Sequence, residues 1–123
     1  MPEHDPRVFL LHMLEHARKA LSLASGLTRE DLDTDEVLRY ALTHLVAVIG
    51  EAASQVPLET RAANPAVPWT KIVALRHRLI HGYASVDYAI LWEVITQHLP
   101  PLIVELETML RTQTSVGLTE PLA

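Results

Sequence analysis

The chain has 123 residues and no cysteine, with 10 Lys and Arg against 15 Asp and Glu, so its formal charge is −5 with seven histidines neutral. That length makes one domain, 1–123, able to bury a core without staples, and the missing thiols exclude disulfides, a cysteine-ligated zinc and a cysteine nucleophile. The opening Met-Pro-Glu-His-Asp-Pro-Arg lacks the basic-then-apolar order of a secretory leader and no run of about 18 apolar residues is present to cross a bilayer, so a soluble cytoplasmic protein is expected.

A first helix is predicted to start at Asp5-Pro6, where the carboxylate accepts an orphan amide and proline gives up no hydrogen bond. Phe9, Leu10, Met13, Ala17, Ala20, Leu21 and Ala24 form its apolar stripe, and Gly26 suits its C-terminal cap. After a connection through Thr28 to Leu32, Asp33 with Glu36 three residues on reads as a capping-box start for a second helix running to about Val56. Its apolar positions cover more than one stripe, which predicts contact from two sides and suits an interface.

Pro57, Pro65 and Pro68 break the chain, with one helical turn expected around Leu58 to Ala63. Pro68-Trp69 opens a third helix ended by Gly82, with Trp69, Ile72, Val73, Leu75, Leu79 and Ile80 inward and Lys71, His77 and Arg78 pointing elsewhere. Asp87 caps a fourth, and Pro100-Pro101 predicts a kink in it or a restart as a fifth. From about Thr112 the tail reads as frayed, leaving an ordered core of about 5–111. No strand alternation or repeat competes, so the fold class is all-α, an antiparallel up-and-down bundle of four to five helices.

The acidity is uneven. Thr60 to Val86 carries Arg61, Lys71, Arg76 and Arg78 and no acid, so all 15 acids lie elsewhere. A basic segment in an acidic body concentrates phosphate at one place, although an ordinary solvated helix face has the same charge.

The densest chemistry is Arg76-His77-Arg78-Leu79-Ile80-His81-Gly82-Tyr83. Arg76 and His81 are five residues apart, about 140° around a straight helix, so they converge only if the helix loosens before Gly82 or a two-fold partner supplies one of them. Such a pair allows phosphodiester cleavage without a metal. Imidazole moves the proton of a ribose 2′-hydroxyl or of the leaving oxygen, and guanidinium stabilises charge on the phosphoryl oxygens. On spacing alone, Arg76 also suits capping or an ion pair, and His81 a plain helix end.

The pairs His12 and His16, and His77 and His81, have metal-ligand spacing but no third ligand, so no metal site or cofactor is expected. His44 reads as a hydrogen-bonded core or interface residue and His98 as a surface residue. Glu51, beside Gly50 in the apolar second helix, either pairs with Arg76 as support for the site or marks where the helix meets solvent. Trp69 reads as a core anchor, with base stacking the alternative. The Tyr83 hydroxyl stands two residues past His81.

With these residues in view, the chain resembles the HepT-like branch of the HEPN proteins, the toxin partners of minimal nucleotidyltransferases. The likeness rests on Val48-Ile49-Gly50-Glu51-Ala52-Ala53, Val67-Pro68-Trp69, the run Arg76 to Tyr83, and Val86-Asp87 with Trp92 and Leu99-Pro100. The family's Arg, four residues, His, one residue, Tyr falls on Arg76, His81 and Tyr83. Its polar position after the arginine is His77 here, where Asn or Asp is common.

The resemblance implies a HEPN-like bundle, akin to nucleotidyltransferase substrate-binding proteins, that forms a two-fold dimer. It implies metal-independent cleavage of RNA, tRNA being one family substrate, with Arg76 and His81 catalytic; Lys71, His77 and Arg78, in the acid-free basic segment, are then expected to contact the RNA. It also implies a cognate nucleotidyltransferase antitoxin that transfers AMP to Tyr83 and so obstructs the cleft and repels RNA phosphates. The competing expectation is a noncatalytic nucleotide- or partner-binding subunit of the nucleotidyltransferase. A DNA-binding regulator is disfavoured by net acidity and the lack of a helix-turn-helix pair.

Overall fold

The computed structural model describes residues 5–81 and 85–119, with His81 and residues 113–119 described by their backbone. Helix α1 (Pro6–Ala24) starts as expected: the Arg7 N–H donates to Asp5 Oδ1 at 3.0 Å, and Pro6 takes the first helical position. Beyond its end Gly26 adopts φ +77°, a left-handed conformation that favours glycine.

The next stretch departs from expectation. Thr28 to Leu32 is not a plain connection but leads into a short helix, α2 (Arg29–Thr34), held by its own capping box. The Thr28 N–H donates to Asp31 Oδ2 at 2.8 Å and the Asp31 N–H to Thr28 Oγ1 at 3.3 Å, while fully buried Leu32 pins the turn to the core. Asp33 is consumed in this helix and faces Arg29 at 3.4 Å. The cap of α3 (Glu36–Gln55) is therefore Asp35, whose Oδ1 accepts the Leu38 N–H at 3.0 Å. Asp35→Ala is expected to lower unfolding free energy by about 1 kcal/mol. Asp33→Ala, which loses only an exposed ion pair, is expected to cost at most a few tenths. Urea titrations of the two variants check the difference.

Helix α3 packs along α1 and also meets α2 and the helical segments Trp69–Val73, Leu75–Leu79 and Tyr88–Glu93, the many-sided contact its apolar circumference predicts. Arg61 closes its C-terminus, donating from Nε to the Val56 carbonyl and from Nη2 to the Ser54 carbonyl, both at 3.0 Å. That arginine belongs to the expected one-turn helix α4 (Leu58–Ala62).

The third predicted helix is two pieces, α5 (Trp69–Val73) and α6 (Leu75–Leu79), parted at Ala74 with φ −84° and ψ 0°. Helical bonds still cross the break, from the Ala74 N–H to the Thr70 carbonyl at 3.1 Å and from the Arg78 N–H to the Ala74 carbonyl at 3.0 Å. Trp69 is 7% exposed and its Nε1 donates to the Asn64 carbonyl at 3.0 Å. It is the core anchor, and its burial removes the base-stacking alternative.

This helix ends at Leu79, before Gly82. Ile80 turns extended, with φ −106° and ψ 115°, and β1 (Ile80–His81) pairs antiparallel with β2 (Ser85–Val86). Ile80 stands opposite Val86 and His81 opposite Ser85, with the Asp87 N–H donating to the Leu79 carbonyl at 2.7 Å. β-Branched Ile80 and Val86 favour the pleated form. Gly82 and Tyr83 lie outside the described residues.

As expected, Asp87 caps α7 (Tyr88–Glu93), accepting the Ile90 N–H at 3.1 Å. The proline pair is accommodated by a π turn, Val94–His98, in which the Leu99 N–H reaches the Val94 carbonyl five residues back. Helix α8 (Leu99–Thr119) follows directly, with Pro100 and Pro101 in its first turn, immediately after the widened step of the π turn. Its backbone stays helical past Thr112, to Thr119. Helices α1, α3 and α8 enclose the core with the π turn, around fully buried Leu10, Met13, Leu42, Ile49, Ile95 and Leu106. The fold is all-α apart from the two-residue ladder. No described helix is long and apolar enough to cross a membrane.

Candidate functional site

No polar or charged residue among those described is buried, so polar chemistry sits on the surface, in clefts where helices meet. One such cleft, of about 340 Å³, lies between α3 and the α5–α6 segment and is lined by Gly50, Glu51, Ser54, Val73, Arg76, His77 and Ile80. Gly50 creates it. A Cβ at this position would stand 2.9 Å from the Ile72 carbonyl oxygen, inside contact distance of a backbone atom that cannot rotate away. Only glycine lets α3 approach α5 this closely, and the approach sets Glu51 opposite α6.

Across the cleft, Arg76 Nη1 lies 3.6 Å from Glu51 Oε1. This is the pairing alternative for Glu51 left open by the sequence. The two side chains are 65% and 62% exposed, so the pair adds under about 1 kcal/mol to stability. It holds the guanidinium over the cleft while leaving it open to exchange with an anion from solvent. Ser54 Oγ donates to the Glu51 carbonyl at 2.6 Å and completes this wall.

His77 lines the same cleft, and the chain leaves the helix immediately after Leu79, so the 140° separation of Arg76 and His81 in an unbroken helix does not apply. The backbone loosens before Gly82, as the first of the two routes to convergence requires. The His81 side chain and Tyr83 lie outside the described residues.

Lys71 and Arg78 do not join this cleft. Seven residues apart, they share a helical face and line a second cleft, of about 190 Å³, between the α5–α6 segment and the π turn with the start of α8. The basic segment is thus divided three ways: Arg76 and His77 in the first cleft, Lys71 and Arg78 in the second, and Arg61 spent on the end of α3.

His44 is exposed rather than in the core, at the edge of α3 where a surface groove runs beside Lys19 and Leu23 of α1. His16 Nδ1 lies 2.7 Å from the His12 carbonyl, one turn away, and is engaged with backbone. His98 is on the surface as expected, with Nε2 3.2 Å from Glu93 Oε2. Among the described residues no three His, Asp or Glu side chains gather as metal ligands. Sequence reasoning passed over Gly50, Ser54 and Val73 as parts of the site. A glycine inside an apolar helix, followed by Glu51 and then by Ser54 one turn on, was the available signal.

Comparison with known proteins places the chain in a family. A family model described as "Ribonuclease HepT-like" matches residues 13–109. "Putative RNase TTE0752" of Caldanaerobacter subterraneus is 34% identical over 108 residues, which cover 88% of this chain and 96% of the relative. "Putative RNase MJ1380" of Methanocaldococcus jannaschii is 31% identical, covering 87% of this chain and 98% of the relative. "Probable ribonuclease HepT" of Thermococcus cleftensis is 31% identical, covering 72% and 84% respectively. No solved structure matches. The family model spans most of the chain and the relatives align over most of both sequences, so this helical chain belongs to the HepT-like ribonuclease family.

Proposed function

We propose that the protein is the toxin of a paired toxin–antitoxin system, a metal-independent endoribonuclease that cuts RNA through Arg76 and His81. The observation that carries this reading is the exposed Arg76 guanidinium, held by Glu51 over a cleft whose wall leads through Ile80 to the His81 backbone. In the cutting step, the His81 imidazole takes the proton of a ribose 2′-hydroxyl, the 2′-oxygen forms a bond to phosphorus, and the bond to the 5′-oxygen breaks. The leaving oxygen takes its proton from solvent or from the imidazole of a second copy, and Arg76 neutralises charge on the non-bridging oxygens. The products are a 2′,3′-cyclic phosphate and a 5′-hydroxyl.

The working unit is a homodimer with two copies of the motif facing one cleft. Val37 and Tyr40, 78% and 63% exposed on the outer face of α3, support this arrangement as apolar surface without cover in a single chain. A small nucleotidyltransferase silences the toxin by transferring AMP from ATP to the Tyr83 hydroxyl with release of pyrophosphate.

Incubation of the full chain with an RNA pool in excess chelator is expected to yield fragments with 2′,3′-cyclic ends. With a neighbouring nucleotidyltransferase and ATP, mass analysis is expected to show AMP on Tyr83 and cutting to stop. Partner binding with no cleavage of any RNA points instead to a noncatalytic subunit, and AMP on another residue overturns the switch.

A further inference from the structure

We propose that the second cleft, between the α5–α6 segment and the π turn, is a nucleotide subsite that holds one unpaired base of the RNA away from the cut. This deepens the ribonuclease reading and rests on it. The floor is apolar and closed, with Ile72, Leu75, Leu99 and Leu102 all buried, and the cleft encloses about 190 Å³. That is room for one flat ring or one side chain. A helical partner docks through anchors spaced over two turns and needs a longer groove.

The rim favours the nucleotide. Lys71 and Arg78 are exposed, and among the described residues neither has an ion-pair partner. The neighbouring Arg61, Arg76 and His98 are all engaged, by the α3 carbonyls, Glu51 and Glu93 respectively. Two uncommitted cations on a protein of charge −5 make this edge an attractor for phosphates, and an apolar floor between them takes the base that joins those phosphates. Because Arg76 and His77 open to one side of α6 and Arg78 to the other, a single strand crossing α6 meets both clefts. Glu105, half-buried on α8, is the one acid in the lining. As an acceptor it selects a base that presents an exocyclic amino group, which uracil lacks.

The test uses the full-length His81→Ala protein, expected to retain RNA without cutting it, and oligoribonucleotides carrying 5-iodocytidine or 5-iodouridine. After irradiation, cross-linked peptides are expected to map to residues 66–71 or 99–105, more strongly with iodocytidine. Ala66→Glu, which sets a carboxylate in the mouth of the cleft from an exposed position, is expected to weaken oligonucleotide binding about tenfold with thermal melting unchanged. Independently, Lys71→Gln with Arg78→Gln is expected to flatten the salt dependence of binding by about 1.4 in log–log slope, two phosphates on a single strand.

Cross-links confined to α3 and residues 76–77, with an unchanged salt slope, overturn the subsite and leave the ribonuclease reading standing. Cross-links at residues 66–71 with no cleavage of any RNA by the unsubstituted chain support the subsite and overturn the nuclease. Loss of a protein partner in Ala66→Glu, with RNA affinity intact, assigns the cleft to protein and overturns the proposal.

Discussion

His81→Ala and Arg76→Ala are each expected to reduce RNA cleavage by at least about 100-fold while leaving the thermal melt of the protein in place. Loss of a positioned general base or acid costs about 10²–10⁴ in rate, and loss of a preorganised charge at the phosphoryl oxygens about 10²–10³. Stability is spared because Arg76 is 65% exposed and its one ion pair, to Glu51, is a surface pair. Arg76→Lys separates charge from geometry. The ammonium keeps the charge but lacks the planar fork, so partial activity is expected, with the loss appearing in kcat more than in KM. Single-turnover cleavage of a labelled RNA in chelator measures all three. Unchanged cleavage in His81→Ala removes the proposed chemistry.

Gly50→Ala is expected to destabilise the protein, although alanine is the better helix former. Helix propensity alone favours the change by about 1 kcal/mol. Against it, the new methyl lies 2.9 Å from the Ile72 carbonyl oxygen and 3.7 Å from Leu75 Cβ, and relief requires α5 to move off α3. Overpacking of this kind costs about 1–3 kcal/mol, and since the obstructing atom is backbone the cost falls at the upper end, leaving a net loss of about 1–2 kcal/mol. For a chain of this size that is a fall in Tm of several degrees. The same movement draws Arg76 away from Glu51, so cleavage is expected to fall as well, at temperatures where the variant is still folded. A melt that rises in Gly50→Ala contradicts the close approach.

The ends of the helices were legible where capping chemistry stood alone. Asp5-Pro6 and Asp87 mark starts that the structure keeps, and Pro100-Pro101 marks the restart. Where two caps competed, the sequence misled. Asp33 and Glu36 form one plausible box and Thr28 and Asp31 another, and the deciding contact is the burial of Leu32, a single anchor too short to show as periodicity. The end of the third helix was misplaced for a related reason. Gly82 is a strong local stop, but Ile80 and His81 leave the helix to pair with Ser85 and Val86, and that pairing is not a local signal.

Within the site, the opposition of Glu51 to Arg76 was legible as an alternative, because an acid beside a glycine in an apolar helix asks for a partner. The separation of Lys71 and Arg78 from Arg76 was legible too. Their angular positions already divide them, but the charge total of the segment conceals it.

The π turn carries a consequence for chain length. Leu91, Ile95 and Leu99 are all buried although they follow one another at successive intervals of four, which in an unbroken α-helix would swing the third about 80° off the line of the first. The wide turn from Val94 to His98 absorbs that drift, so α7 and α8 both face the interior across it. It therefore behaves as a stored insertion, one amino acid more than a plain coil needs. A homologue lacking that amino acid is able to build the same bundle with a straight, continuous rod here, whereas the same gap further along α8 would turn Leu106 and Met109 out into water.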